Sequence, residues 1–305
     1  MKIAVIIPCC DQEEIVNLAI SRFKLQTVKP YLIIVVNDTY NNISDDIDID
    51  AVVLNTAEID SRRMNNRSFV RNCGIHYAID NGAEVCVFID GDEIPEGNDF
   101  LEKYDNYFTK NKSASLYGMR RYIHTPVKGI KAYRDDLKYK KVILPKSQLP
   151  HSLLNVNIDK ETIEVYDDQR YVSGLDFIIN GDGHFDVESS KLNLILNGWL
   201  CWSCNFAIDV EGLMKVYKLN EEDFFFDEVD FVEWGFEDGA FGLDSYYAGV
   251  KVDMTTDIWT RHFLHPTNNN DGFIGYVHCM NKILKRYTRL LLSNRSVSER
   301  LQELV

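Results

Sequence analysis

The sequence is poor in basic residues, with 33 Lys and Arg against 47 Asp and Glu and a formal net charge of -14. Nucleic-acid binding needs a basic surface that neutralises phosphates, so this charge balance argues against a nucleic-acid partner. An acidic protein that handles an anionic nucleotide would use a divalent cation to do so. The chain also lacks internal repeats and low-complexity segments, and its 45% hydrophobic content over 305 residues is enough for a sizeable core.

Long apolar runs are missing as well. No segment approaches the roughly eighteen apolar residues that cross a bilayer. The first apolar run is short and leads into acidic residues, so we expect no signal peptide. The seven cysteines are odd in number and lie mostly in apolar segments, which favours reduced thiols over disulfides. We therefore expect a cytoplasmic protein.

The first hundred residues alternate short apolar runs with amphipathic stretches. The runs predict strands at 3–7, 32–36, 52–54 and 85–89, and the stretches predict helices at 13–25 and 65–80. Asn81-Gly82 is typical of a helix C-terminus. This alternation predicts an α/β fold with a mixed, mostly parallel sheet flanked by helices.

Acidic residues follow two of the predicted strands. Asp90-Gly91-Asp92 comes directly after the run 85–89, and Asp38 comes after the run 33–36. Open α/β sheets bind ligands at this end of their strands. Paired carboxylates suit Mg²⁺ or Mn²⁺, whose shell a diphosphate would complete, and Asp38 could accept hydrogen bonds from a base or ribose. The alternative is that these are ordinary solvated turn residues.

These segments, together with Arg71-Asn72-Cys73-Gly74 and the opening Val5-Ile6-Ile7-Pro8, resemble the family 2 glycosyltransferases of GT-A fold. The resemblance implies that the residue matching Asp38 contacts uracil and that the residue matching Arg71 lies near the diphosphate. It also implies that Pro8 and Asp90 border the nucleotide, and that Asp90 and Asp92 hold Mn²⁺ or Mg²⁺.

Two later segments extend the resemblance. Ser203-Cys204-Asn205-Phe206-Ala207-Ile208 is similar to the Gly-Gly-Asn-x-Ala segment of bacterial chondroitin and hyaluronan polymerases, which implies that Asn205 lies near a sugar. Trp234-Gly235-Phe236-Glu237-Asp238 resembles the Trp-Gly-x-Glu-Asp motif that those enzymes share with β-1,4-galactosyltransferases. That motif implies that Asp238 is the catalytic base, and that Trp234, Gly235 and Glu237 contact sugar. Alternatively, Glu237 and Asp238 only begin a helix, where acids suit the dipole.

A histidine completes the implied metal site. In the galactosyltransferase pattern a metal-ligating histidine comes near the end of the domain, where this chain has His262 and His265. The register favours His265 and leaves His262 in reserve, and imidazole is an acceptable ligand for Mn²⁺. The alternative is an inert histidine on a polar loop.

The sequence is thus expected to form one GT-A domain over residues 1–275. It would comprise a nucleotide-binding half (1–112), an irregular insertion (113–198) with short strands at 142–144 and 177–179, and an acceptor or catalytic half (199–275). A basic helical segment (276–305) follows, which is either a solvated helix or a peripheral contact with the inner membrane face.

The expected activity is metal-dependent, inverting transfer of a hexose or N-acetylhexosamine from a UDP-sugar to a saccharide or lipid-linked saccharide, in surface polysaccharide synthesis. Two alternatives stay open. A sugar-phosphate nucleotidyltransferase would share the sheet, although the turn after Pro8 lacks the glycine-rich phosphate loop that it needs. A non-catalytic nucleotide-sugar-binding subunit of a polysaccharide assembly complex would keep the sheet and lose the base or the metal pair.

Overall fold

The computed structural model describes residues 1–123, 141–145, 162–166, 203–229 and 237–263, together with Lys282 and Lys285. The strands are β1 Ile3–Cys9, β2 Leu32–Asn37, β3 Val52–Asn55, β4 Val85–Ile89, β5 Glu93–Pro95, β6 Ala114–Ile123, β7 Lys141–Pro145, β8 Thr162–Tyr166, β9 Asn205–Asp209 and β10 Lys251–Phe263. The helices are α1 Glu13–Lys24, α2 Thr56–Asp60, α3 Arg67–Asp80, α4 Phe100–Lys110, α5 Val210–Leu219 and α6 Glu237–Tyr247, with a 3-10 turn at Ser61–Arg63.

Eight of the described strands form one sheet in the order β3-β2-β1-β4-β9-β6-β10-β5. Six of them run in the same direction, while β9 and β5 are antiparallel to their neighbours. The predicted mixed, mostly parallel α/β sheet is therefore confirmed. Because β1, β2 and β4 are parallel, the residues that follow each of them lie at one edge of the sheet.

Helices cover both faces of the sheet, because alternate residues of each buried strand point to opposite sides. Helices α1 and α4 pack on one face, where Val5 and Val87 lie among their aromatic residues. Helices α3, α5 and α6 pack on the other face, against Ile6 and Phe88. Phe88 stacks on Phe206 of β9 with ring centroids 4.5 Å apart, which joins the two halves of the sheet.

The predicted strands and helices of the first hundred residues are confirmed, with small shifts at their ends. Helix α3 begins after Asn66, whose side chain accepts a hydrogen bond from the N–H of Phe69 at 3.1 Å. It ends at Asp80, and Gly82 takes a φ of +78°, which glycine adopts without strain. The expected helix boundary at Asn81-Gly82 is therefore correct.

The boundary expected at residue 113 needs correction. Residues 114–123, expected to be irregular, form β6 between β9 and β10 in the main sheet. Gly118 lies within β6. A larger residue would not fit there, because a Cβ would lie 2.7 Å from the carbonyl oxygen of Ile258. The short strand expected at 142–144 is confirmed in β7, which pairs with β8 in a separate sheet. The one expected at 177–179 lies outside the described residues.

Within the described part of the chain, no helix is both long and apolar enough to cross a bilayer. The basic segment 276–305 lies outside the described residues, apart from Lys282 and Lys285, which are helical.

Candidate active site

The Asp90-Gly91-Asp92 turn packs against the loop that follows β1. A Cβ on Gly91 would lie 2.5 Å from the carbonyl oxygen of Pro8 and 2.7 Å from Oε1 of Gln12, so only glycine allows this approach. The backbone N–H of Glu93 donates to the carbonyl of Asp90 at 3.0 Å and closes the turn. The sequence thereby places Asp90 and Asp92 beside Pro8, at the edge where β1 and β4 end.

Asp38 follows β2 at the same edge and holds neighbouring chain in place. Its carboxylate accepts hydrogen bonds from Thr56 Oγ1 at 2.9 Å and from the backbone N–H of Asn65 at 3.0 Å. Burial raises the pKa of Asp38, although these two hydrogen bonds act in the opposite direction. Asp38 thus fixes the connection between β3 and α3, and its contact with a nucleotide base stays a prediction.

Arg71 of α3 joins three segments that are distant in the sequence. Its guanidinium donates to Glu237 Oε1 at 2.7 Å and to Ser203 Oγ, and lies 3.5 Å from Asp90 Oδ1. Arg71 is 3% exposed and Glu237 is 2% exposed, so this ion pair is largely shielded from water. The pair ties the Asp-Gly-Asp turn to the start of α6. A direct contact of Arg71 with a diphosphate, or of Glu237 with a sugar, stays a prediction.

Asp238 is the second residue of α6, and its carboxylate is held by backbone N–H groups. Its carboxylate accepts hydrogen bonds from the N–H of Gly239 at 2.8 Å and from that of Ser203 at 3.3 Å. Burial, and next the negative charge of Glu237, raise the pKa of Asp238 to about 7, while Arg71 acts to lower it. A base with a pKa near neutrality is suited to accept a proton at physiological pH. Glu237 and Asp238 do begin a helix. This position is compatible with a catalytic role and also with acids that only interact favourably with the helix dipole.

A second group of side chains gathers at Asp92, the last residue of the turn. His262 of β10 stands opposite Glu93 of β5 in antiparallel register, and its Nε2 is 3.4 Å from Asp92 Oδ2. One ligand atom from each of Asp92, Glu93 and His262 lies within 4.8 Å of the other two. Cis ligands of an octahedral ion with bonds of about 2.1 Å lie about 3 Å apart, so this oxygen and nitrogen set fits Mn²⁺ or Mg²⁺.

This group differs in part from the ligands expected from the sequence. The reserve histidine, His262, lies at Asp92, whereas the favoured His265 lies outside the described residues. Asp90 is 3.5 Å from Arg71 and does not belong to the group. Glu93 was not expected as a ligand. Its signal in the sequence is an acid that follows the Asp-Gly-Asp turn and precedes the apolar Ile94.

Asn205 has a packing role. It is 2% exposed, its Oδ1 accepts a hydrogen bond from the Tyr104 hydroxyl at 2.8 Å, and its Nδ2 donates to the carbonyl of Ile258 at 3.2 Å. These bonds connect β9 with α4 and β10, so a sugar contact for Asn205 stays a prediction. Trp234 and Gly235 lie outside the described residues.

No protein-family model matches this sequence. No curated protein matches it either. Solved structures do resemble the fold. GalNAc-T7 with UDP, GalNAc and Mn²⁺ aligns at a TM-score of 0.53 and 13% identity, over 87% of this chain and 44% of that one. The mannosyltransferase PcManGT from Pyrobaculum calidifontis, with GDP-Man and Mn²⁺, aligns at 0.50 and 10% identity, over 94% and 64%.

S. aureus TarS in complex with UDP aligns at a TM-score of 0.49 and 12% identity, over 93% of this chain and 64% of that one. This chain therefore spans less than two thirds of the length of each of these proteins. The likeness to GalNAc-T7 and PcManGT, added to the sheet order, shows that the chain has the GT-A fold of glycosyltransferases.

Proposed function

We propose that this protein is a metal-dependent, inverting glycosyltransferase. It transfers a hexose or N-acetylhexosamine from a UDP-sugar to a saccharide or lipid-linked saccharide acceptor, in surface polysaccharide synthesis. The observation that carries the proposal is the position of Arg71, which pairs with Glu237 across 166 positions of the sequence and lies 3.5 Å from Asp90. A carboxylate suited to accept a proton, Asp238, is thereby brought close to the turn suited to a nucleotide diphosphate.

Asp238 is the general base of the proposed reaction. The acceptor hydroxyl gives its proton to the Asp238 carboxylate while its oxygen bonds to the anomeric carbon of the donor. The bond from that carbon to the diphosphate oxygen breaks in the same step, and UDP leaves. One displacement inverts the anomeric configuration, so an α-linked donor gives a β-linked product.

Asp92 and His262 are the proposed metal ligands, and Asp90 and Pro8 border the donor diphosphate. Their oxygen and imidazole donors suit Mn²⁺ or Mg²⁺. Held by these residues, a divalent cation would stabilise the negative charge that develops on the departing UDP. The proposal is supported by the 3.4 Å separation of the His262 and Asp92 ligand atoms and by the Mn²⁺ in two solved structures of this fold.

Trp234 and Gly235 are proposed to receive the acceptor sugar, on the resemblance of their segment to the Trp-Gly-x-Glu-Asp motif. They lie within four positions of Asp238 in the sequence. An aromatic ring next to the base would let a sugar stack while its hydroxyl meets Asp238.

A donor panel tests the activity. The full chain is incubated with Mn²⁺ and a set of UDP-sugars, with GDP-mannose for comparison, and the release of UDP or GDP by slow hydrolysis is measured. We expect one UDP-sugar to be hydrolysed above background, and the hydrolysis to stop on chelation. UDP binding without turnover of any donor, even with saccharide acceptors, would instead favour a non-catalytic binding subunit. Pyrophosphate release from UTP and a sugar phosphate would favour a nucleotidyltransferase.

We also propose a cytoplasmic location, with the basic residues after 276, including Lys282 and Lys285, drawn to the anionic inner membrane face. Lipid-linked acceptors would be found there. Sedimentation of the full chain with anionic and neutral vesicles at low salt tests this. Equal recovery of the protein with anionic and neutral vesicles would indicate that the segment is only a solvated helix.

A further inference from the structure

We propose that Glu93 is a third protein ligand of the metal ion, and that the protein therefore binds Mn²⁺ without any nucleotide. This proposal rests on the proposed function in one respect, which is that the same ion would also bind the donor diphosphate. The observation behind it is the grouping of Glu93 with Asp92 and His262, whose ligand atoms all lie within 4.8 Å of one another.

Strand pairing, and not a flexible loop, brings Glu93 and His262 together. They are direct partners in the antiparallel ladder between β5 and β10. Directly opposed residues in such a ladder place their Cβ atoms about 4.5–5.5 Å apart on one face of the sheet. Asp92, which precedes β5, reaches the same place, since its Oδ2 is 3.4 Å from His262 Nε2.

The backbone on both sides of Glu93 is fixed. Its own N–H donates to the Asp90 carbonyl at 3.0 Å, and the N–H of Glu96 donates to the Trp259 carbonyl at 2.9 Å. Ile94 is 6% exposed and belongs to the hydrophobic core on the α1 and α4 face of the sheet. Core packing and backbone bonds therefore position the Glu93 carboxylate before any ion arrives, which is the preorganisation that a tight site requires.

Charge and burial favour an ion at this place. Glu93 is 0% exposed, Asp92 is 6% exposed and His262 is 9% exposed. Removing carboxylates from water is costly, and coordination of a divalent cation is one way in which buried carboxylates are stabilised. Hard oxygen ligands with one imidazole suit Mn²⁺. Three protein ligands leave half of an octahedral shell for diphosphate oxygens or water.

The number of protein ligands has a measurable consequence. An ion held by one or two side chains depends on the diphosphate for most of its ligands. Three prepositioned protein ligands, with water in the remaining positions, can bind the ion without the diphosphate. Loss of an outer-shell partner costs about 10–100-fold in metal affinity, so loss of a direct ligand should cost at least about tenfold.

The test is a titration of the nucleotide-free full chain with Mn²⁺, in which electron paramagnetic resonance measures the free aqueous ion. We expect one tightly bound ion per chain and an affinity at least about tenfold weaker in Glu93→Gln. Glu96→Gln is the matched control, because it removes an acid three positions along that lies 3.4 Å from Arg261 instead. Its Mn²⁺ affinity should equal that of the wild type.

Equal Mn²⁺ affinity in wild type and Glu93→Gln would overturn the proposal, as would a wild type that binds no Mn²⁺ until UDP is added. If Glu93→Gln does not fold by circular dichroism, Glu93→Asp replaces it. This variant keeps the charge and withdraws the carboxylate by one methylene, and an unchanged affinity there would also overturn the proposal. If the ion binds at this site, the ¹⁴N coupling between the His262 imidazole and bound Mn²⁺ should be lost in His262→Gln. A ¹⁴N coupling that persists in this variant would contradict that location.

The outcome is separable from the activity. Tight Mn²⁺ binding that weakens in Glu93→Gln, with no donor turned over, would leave the ligand assignment standing and remove the transferase. Mn²⁺-dependent turnover, with Mn²⁺ affinity equal in both proteins, would do the reverse.

Discussion

Two acidic clusters adjoin the Asp90-Gly91-Asp92 turn, and they differ in the groups that lie beside their carboxylates. In one, Glu237 and Asp238 lie beside Arg71, whose guanidinium donates to Glu237 at 2.7 Å. In the other, Asp92 and Glu93 lie with His262, an imidazole that is charged only if it is protonated. Arg71 balances part of the charge of the Glu237 and Asp238 cluster, whereas the Asp92, Glu93 and His262 cluster is the one proposed to hold a divalent cation.

This difference separates the tasks of the two clusters. The Asp238 carboxylate is held by the backbone N–H groups of Ser203 and Gly239, next to the Arg71–Glu237 ion pair, so it should keep its geometry when metal is absent. The cluster of Asp92, Glu93 and His262 offers oxygen and nitrogen ligand atoms within 4.8 Å of one another, which suits a divalent cation. Changes at Asp238 should therefore alter the chemical step and spare nucleotide binding, while changes at Asp92 should weaken the Mn²⁺-dependent binding of UDP.

The largest effect is expected for Asp238→Asn. The amide keeps the shape of the carboxylate, and its oxygen can still accept the hydrogen bond from Gly239, but its nitrogen cannot accept the longer bond from Ser203 and the side chain cannot take a proton. Turnover should fall by about 10²–10⁴-fold, as for the loss of a general base, with the Mn²⁺-dependent affinity for UDP nearly unchanged. Steady-state kinetics with parallel calorimetry measures both. A folded Asp238→Asn enzyme with wild-type turnover would make Glu237 the next candidate.

Arg71→Met should destabilise the fold by about 3–5 kcal/mol, because it leaves the Glu237 charge buried without its partner. Adding Glu237→Gln removes that charge, so the double variant should be more stable than Arg71→Met alone. Denaturant unfolding measures the free energies. Arg62→Met is the control, since Arg62 pairs with Asp60 in solvent and its loss should cause no measurable change. A double variant less stable than Arg71→Met would contradict the role given to this ion pair.

A smaller effect concerns pH. Burial and the charge of Glu237 raise the pKa of Asp238 to about 7, and the base acts only when it is deprotonated. Turnover should thus rise with pH and level off above about 7. Glu237→Gln removes a charge that raises this pKa, so the acidic limb of its pH profile should move to lower pH. A limb that stays in place, or moves upward, would contradict the assignment of this limb to Asp238.

The two halves of the sheet were not equally predictable from sequence. Strands β1, β2 and β4 are buried on both faces and parallel, so they appear as continuous apolar runs. Strands β6 and β10 both contain charged residues, and β6 also contains Gly118. A Cβ at Gly118 would collide with β9 and β10, a constraint that is visible only in the folded chain. The irregular region was therefore expected to begin at 113, and β6 was missed.

The candidate site divides in the same way. The Asp-Gly-Asp turn was predictable because it directly follows an apolar strand. In a parallel sheet, the residues after such a strand lie at the end of the sheet where ligands bind. Its relation to Arg71 and Glu237 depends on how α3 and α6 pack, across 166 positions. Glu93 was missed because an acid in a turn is usually solvated, while its burial follows from its pairing with β10.

The most direct test of the division between the clusters is calorimetry of UDP binding, with Mn²⁺ and after chelation, for the wild type, Asp92→Asn and Asp238→Asn. Mn²⁺ should strengthen UDP binding in the wild type and in Asp238→Asn, and this gain should be largely lost in Asp92→Asn. Equal UDP affinity with and without Mn²⁺ in the wild type, or a full Mn²⁺ gain in Asp92→Asn, would contradict the account.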